Sequence, residues 1–148
     1  MAESAVILLI EDNPGDRQLI MQEFKALGHN IKFIIKEDGE EALQYLDEMS
    51  DRHKSHELPN LIILDLNLPR ASGIEILQEY KKHPVFLTIP VIVFSSSSSA
   101  TDIKSAYDNF ANCYIPKPFA YEEFSEAVKS MWDFWFTITK LPRPVGAD

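Results

Sequence analysis

Five side chains with reactive or ligating chemistry stand where short apolar runs give way to polar residues. Glu11 and Asp12 follow "AVILLI", Asp65 interrupts "LIILDL", Ser95 follows "VIVF", and Lys117 comes just after "CYI". If a fold gathers them, three carboxylates meet, and like charges that close raise a pKa unless cations intervene. A divalent metal and the Lys117 ammonium together balance that charge. Carboxylate oxygens suit magnesium, which keeps several waters and binds through few carboxylates plus a phosphate; Mn2+ or Ca2+ can replace it in crystals. A hydroxyl at Ser95 and a nearby helix N-terminus then complete a phosphoryl-holding site. A carboxylate beside a metal and a lysine is, moreover, a nucleophile that forms aspartyl phosphates.

The elements that must position these groups are legible as alternating patterns. Apolar runs at 5–10, 31–35, 61–66, 91–94 and 113–115 read as strands. Between them, residues 14–27, 38–49, 74–80 and 99–110 carry apolar side chains at helical spacing, and a last helix starts near Tyr121. Five strand–helix alternations predict an α/β fold, doubly wound, with five parallel strands. Runs one, three and four are apolar at nearly every position and belong in the centre; Lys32 in run two and the brevity of run five suit edges. The order 2-1-3-4-5, the flavodoxin-like winding, satisfies this. Ligands in such sheets bind beyond the carboxyl ends of the strands. All five side chains named above stand there.

This arrangement decides how "SSSSS" (95–99) is read. A serine run usually marks a flexible linker, but a linker between strand four and helix four would leave two incomplete sheets. Ser95 is instead read as a phosphate ligand, and its neighbours as loop and helix cap. Glu11 and Asp12 alone would be ordinary helix-capping acids and Lys117 a surface lysine. Asp65, inside a buried strand, needs a partner. His53 and His56 have metal-ligand spacing but occupy the polar loop 50–59 without further partners, and are read as solvated. His29 and His83 carry no assigned role, and Cys113 reads as a small core residue.

The chain has 148 residues and a formal charge of −9, enough for one core and unfavourable for binding a phosphate backbone. No nucleic-acid partner is expected. No apolar run spans a bilayer, the opening residues are not expected to be a secretory leader, and the single cysteine fits a reducing cytoplasm.

"LLIEDNP", "ILDLNLPRASG", "VIVFSS" and "YIPKPF" follow in an order and spacing that resemble the receiver domain of two-component response regulators. The resemblance covers nearly the whole chain. It implies Asp65 as phosphoacceptor, and Glu11, Asp12 and the backbone carbonyl of Asn67 as further metal ligands. It also implies Ser95 as the switch hydroxyl, Lys117 as the phosphate-contacting lysine and Tyr114 as an aromatic switch. A sensor histidine kinase is the implied partner, and a cis Lys117–Pro118 bond is expected. The protein is then a phosphoacceptor, not an enzyme beyond its own phosphorylation and slow dephosphorylation. Residues 1–136 are expected to form the receiver, with 137–148 a tail and no effector domain. With the loop 50–59 and the aromatic C-terminal helix, this resembles the small regulators associated with cyanobacterial phytochromes, which implies a phytochrome-type kinase.

Two rivals share parts of the pattern. A haloacid-dehalogenase-type, magnesium-dependent phosphohydrolase uses an aspartate nucleophile, but carries a second aspartate where Asn67 stands here. A flavodoxin-like flavin carrier would replace "EDNPGD" by a glycine- and hydroxyl-rich phosphate loop. In the last helix, Tyr121, Phe124, Val128, Met131 and Trp135 make one stripe. Trp132, Phe134 and Phe136 fall outside it, which predicts self-association through this helix; the resemblance to the phytochrome-associated regulators implies a homodimer through helix 4, strand 5 and helix 5.

Overall fold

The computed structural model describes residues 5–27, 30–50 and 58–142. His29, His53, His56, most of loop 50–59 and the end of the tail lie outside these described residues. Strands β1 (Ala5–Ile10), β2 (Ile31–Lys36), β3 (Leu61–Leu64), β4 (Val91–Ser95) and β5 (Cys113–Pro116) alternate with helices. The helices are α1 (Pro14–Leu27), α2 (Gly39–Met49), α3 (Gly73–Lys82), α4 (Ala100–Asp108) and α5 (Tyr121–Trp132). The sheet order is 2-1-3-4-5 and the pairings are parallel, as the apolar runs require.

Period-two alternation along the central strands divides the core into two layers. Leu8, Ile10, Ile62, Leu64, Val91 and Val93 face Leu46, Leu77 and Tyr80 on one side. Ile7, Leu9, Leu61, Ile63, Ile92 and Phe94 face Ile20, Phe24 and Phe124 on the other. Each such buried side chain contributes about 1.5–3 kcal/mol, so the sheet is a rigid platform for its polar carboxyl end. Side-chain caps fix three helix starts beside that end: Asp38 accepts from the Glu41 amide, Ser72 from Glu75 and Ser99 from Asp102.

Three expectations need correction. The Lys117–Pro118 bond is trans, for no cis peptide occurs among the described residues; Lys117 enters the site without one. Helix α4 stops at Asp108, so Phe110 lies beyond it with φ 72° and is exposed, and Tyr107 is exposed too. Of Ile103, Ala106, Tyr107 and Phe110, the apolar residues at helical spacing in 99–110, only Ala106 is buried.

The third concerns the C-terminal aromatics. After Trp132 the helix widens into a π-helical segment, Asp133–Ile138, whose i→i+5 pattern turns the chain less per residue than an α-helix. That change of phase brings Phe136 inward beside Trp132, the last residue of α5. They stack at 4.8 Å, and both meet the ring of Phe24 edge-on at 6.0 and 6.5 Å. Both therefore cover the α1–α5 layer, which an unbroken 3.6-residue period conceals. Phe134 remains exposed, and so does Tyr121, which the stripe had placed inside.

Candidate functional site

The pairing registers bring the reactive positions together. Ile10 pairs with Leu64, so Glu11 and Asp65 leave adjacent strands side by side. Ser95 pairs with Pro116, one residue before Lys117, and the Lys117 amide donates to the Ser95 carbonyl at 2.7 Å. Carboxylate oxygens of Glu11, Asp12 and Asp65 lie within 4.8 Å of one another. Glu11 and Asp65 are buried and Asp12 is exposed.

Lys117 is the cation at their centre. Its side chain is only 8% exposed, and Nζ contacts Glu11 Oε1 at 2.6 Å, Asp16 Oδ2 at 2.8 Å and Asp65 Oδ2 at 3.0 Å. Burial alone would lower the Lys117 pKa, but its bonds to Asp16 and Glu11 and the charges of Glu11 and Asp65 raise it above the ordinary value. Glu11 moves the other way from a normal carboxylate. Burial, then the Asp65 charge, push it up to about 8 against the opposing pull of Lys117 and the Asn13 amide. One lysine does not balance this cluster.

Asp16 was not singled out in the sequence. It makes the local carboxylates four, Glu11, Asp12, Asp16 and Asp65, against one ammonium, so a divalent ion leaves the site one charge short of neutral. An acid in the first turn of α1 is ordinarily explained by the helix dipole, which hides the second role. Arg17 was equally overlooked: Nη1 donates to the carbonyls of Glu11 and Asp12, each at 3.0 Å, and Nη2 pairs with Glu37 at 3.0 Å. Asn13 caps α1, its side chain accepting from the Asp16 amide, while its own amide donates to Glu11.

The remaining expected residues surround this cluster. The Asn67 amide donates to Asp65 Oδ1 at 3.2 Å. Ser95, wholly buried as the last residue of β4, accepts from the Ser97 amide at 3.4 Å. Tyr114 is half-buried on β5; its hydroxyl donates to the Ser97 carbonyl at 2.7 Å, and its amide to the Tyr107 hydroxyl. Gly73 has a positional reason: a Cβ there would meet the Asp65 carbonyl oxygen and Leu66 Cα at 2.5 Å. Helix α3 can lie this close to the acidic turn only without a side chain. Outside the site, Cys113 is partly buried against the α1–α5 layer, and His83 accepts from the Val85 amide beside Phe86.

A cluster of oxygen donors, two of the three carboxylates buried and one held protonated near neutrality, fits a divalent cation by charge and donor type. Glu11, Asp12 and Asp65 are the residues that would hold it.

Comparisons with known proteins agree with this arrangement. Response regulator Rcp1 of Synechocystis is 35% identical over 93% of this chain and 92% of its own length. Its Mn(2+)-bound structure superposes with a TM-score of 0.85 at 34% identity, covering 93% of this chain and 99% of that one. The phosphorylated cyanobacterial phytochrome response regulator RcpA gives a TM-score of 0.87 at 36% identity, with 95% and 99% covered. "Probable methanogenesis regulatory protein FilR2" of Methanothrix harundinacea is 35% identical over 94% of this chain and 88% of its own. The family model of the response regulator receiver domain matches residues 7–129. The chain belongs to the response regulator receiver domain family.

Proposed function

We propose that this protein relays a two-component signal by accepting a phosphoryl group on Asp65 from a sensor histidine kinase. The observation that carries the reading is the shared Lys117 ammonium, in contact with Asp65 and Glu11 inside a cluster of metal-competent carboxylates. In the transfer, an Asp65 oxygen attacks the phosphorus of a phosphohistidine; the new O–P bond forms as the N–P bond breaks. The imidazole nitrogen leaves with the electron pair. Lys117 offsets charge on the moving group, and the Ser95 hydroxyl is the donor on the β4 side. Glu11, Asp12, Asp65 and the Asn67 carbonyl would hold Mg2+, which would supply positive charge to offset that of the phosphoryl group. Attack by water later returns Asp65 and inorganic phosphate.

The likeness to Rcp1 and RcpA supports a phytochrome-type kinase as partner and a cytoplasmic setting; no helix among the described residues is long and apolar enough to cross a membrane. Residues 1–136 act as the receiver and 137–148 as a tail. Tyr107, Phe119, Tyr121 and Phe134, exposed on or beside α4, β5 and α5, support a homodimer through that face. The decisive assay incubates the protein with acetyl phosphate and magnesium. Wild type gains one base-labile phosphate and Asp65→Asn gains none. Uptake by the substituted protein overturns the assignment. Phosphotransfer from an autophosphorylated phytochrome-type kinase, faster than from unrelated kinases, tests the partner.

A further inference from the structure

Two adjacent residues of the first turn of α1 brace the acidic turn from opposite sides. Asp16 reaches Lys117 at the β5 side, while Arg17 spans the ends of β1 and β2. The Arg17 side chain is 16% exposed, and its guanidinium is shared among two main-chain carbonyls and one carboxylate. Those carbonyls belong to Glu11 and Asp12, the two residues whose side chains open the metal-competent cluster. The Glu11 amide donates to the Lys36 carbonyl, so this one residue is tied to β2 through its amide and to Arg17 through its carbonyl. The turn after Asp12 has no strand partner of its own to hold it. We infer that Arg17 is a positioning residue for the metal site: it fixes the Glu11–Asp12 backbone so that both carboxylates converge on Asp65. This rests on the reading of that cluster as a divalent-cation site. The planar fork is what the task requires, since it serves carbonyls on one nitrogen and a carboxylate on the other. Lysine presents a single point charge and cannot span them.

The test is a titration of the purified, chelator-stripped chain with Mn2+ followed by calorimetry, alongside thermal unfolding without metal. Loss of a group that orients ligands typically weakens metal affinity about 10–100-fold, and Arg17→Met is expected within that range. Arg17→Lys should restore it only in part. Glu37→Gln keeps both carbonyl bonds and should lower metal-free stability slightly while leaving Mn2+ affinity near wild type. With acetyl phosphate, Arg17→Met should need more Mg2+ for half-maximal phosphorylation but approach the wild-type rate at saturation. Should Arg17→Met fail to fold, Arg17→Lys against Glu37→Gln makes the same comparison. A folded Arg17 variant that binds Mn2+ as tightly as wild type overturns the positioning role. So does Glu37→Gln losing as much affinity as the Arg17 variants. Failure of wild type to bind Mn2+ refutes instead the metal-site reading beneath it.

Discussion

Asp65→Asn should stabilise the metal-free protein while abolishing its phosphorylation. The Glu11 carboxyl is 1% exposed and its pKa rises from 4.5 to about 8, with burial the larger cause and the Asp65 charge the second. Between those two values the folded state holds a proton that the unfolded chain releases. Stability from this group is complete below about pH 4.5 and is lost as pH rises through about 8. At about 1.4 kcal/mol per unit, the whole shift corresponds to roughly 5 kcal/mol at alkaline pH. Burial remains in the variant, so removing Asp65 relieves less than half of this, roughly 1–2 kcal/mol. The lost attraction to Lys117 is small beside it, because Lys117 keeps Glu11 and Asp16 and an asparagine oxygen still accepts its proton. Urea unfolding in chelator at pH 5 and pH 8.5 provides the assay. Asp65→Asn should be more stable at pH 8.5, with the gain fading at pH 5. A variant less stable at pH 8.5, or an equal difference at both, refutes the charge argument.

Metal binding should follow the same proton. Because Glu11 ionises near 8, Mg2+ affinity should fall by up to about tenfold per pH unit below that value, and a pH-invariant isotherm would contradict it. Gly73→Ala forces a Cβ against the Asp65 carbonyl; it should cost about 1–3 kcal/mol in urea unfolding and slow acetyl phosphate labelling. The C-terminal aromatics should separate by role. Phe134→Glu, at an exposed ring, should weaken self-association in sedimentation without changing the unfolding midpoint, whereas Trp132→Glu should destabilise the fold by packing a charge against Phe24. Equal loss of stability from both would refute that division.

The strands, their order and the gathering of Glu11, Asp65, Ser95 and Lys117 were legible because buried parallel strands write themselves as unbroken apolar runs. The polar residue that ends such a run has to face the ligand edge. The end of the C-terminal segment was not legible, since a π-helical turn changes the angular step without any marker residue, and a fixed period then sends Phe136 to the wrong side; Trp132, still inside α5, lies at the margin of the buried stripe. Helix α4 misled for a related reason: Tyr107 and Phe110 sit at helical spacing, but the chain leaves the helix at Asp108. Asp16 and Arg17 were hidden by their ordinariness, an acid and a base on the first turn of a surface helix. Nothing in their spacing says that Arg17 holds the carbonyls of the neighbouring turn or that Asp16 meets Lys117 from 101 residues away.

The serine run illustrates how composition and attachment part company. A tether would leave its polar groups to water, but here the run is fastened at alternate residues, Ser95, Ser97 and Ser99. Ser95 binds Lys117 through its carbonyl, and its hydroxyl accepts from the Ser97 amide. Ser97 accepts from Tyr114 through its carbonyl and reaches the Asp102 carboxylate at 2.5 Å through its hydroxyl; Ser99 caps α4. Each bond is worth about 1 kcal/mol net, so the loop is held firmly yet within reach of a single charge change. The weakest of these contacts is the 3.4 Å one between Ser95 and Ser97. A phosphoryl oxygen on Asp65 that draws the Ser95 side chain towards itself competes for that contact first. The Ser97 amide it would release belongs to the residue whose carbonyl holds Tyr114, so on the proposed function the loop would carry the charge change from the site to the α4–β5 face.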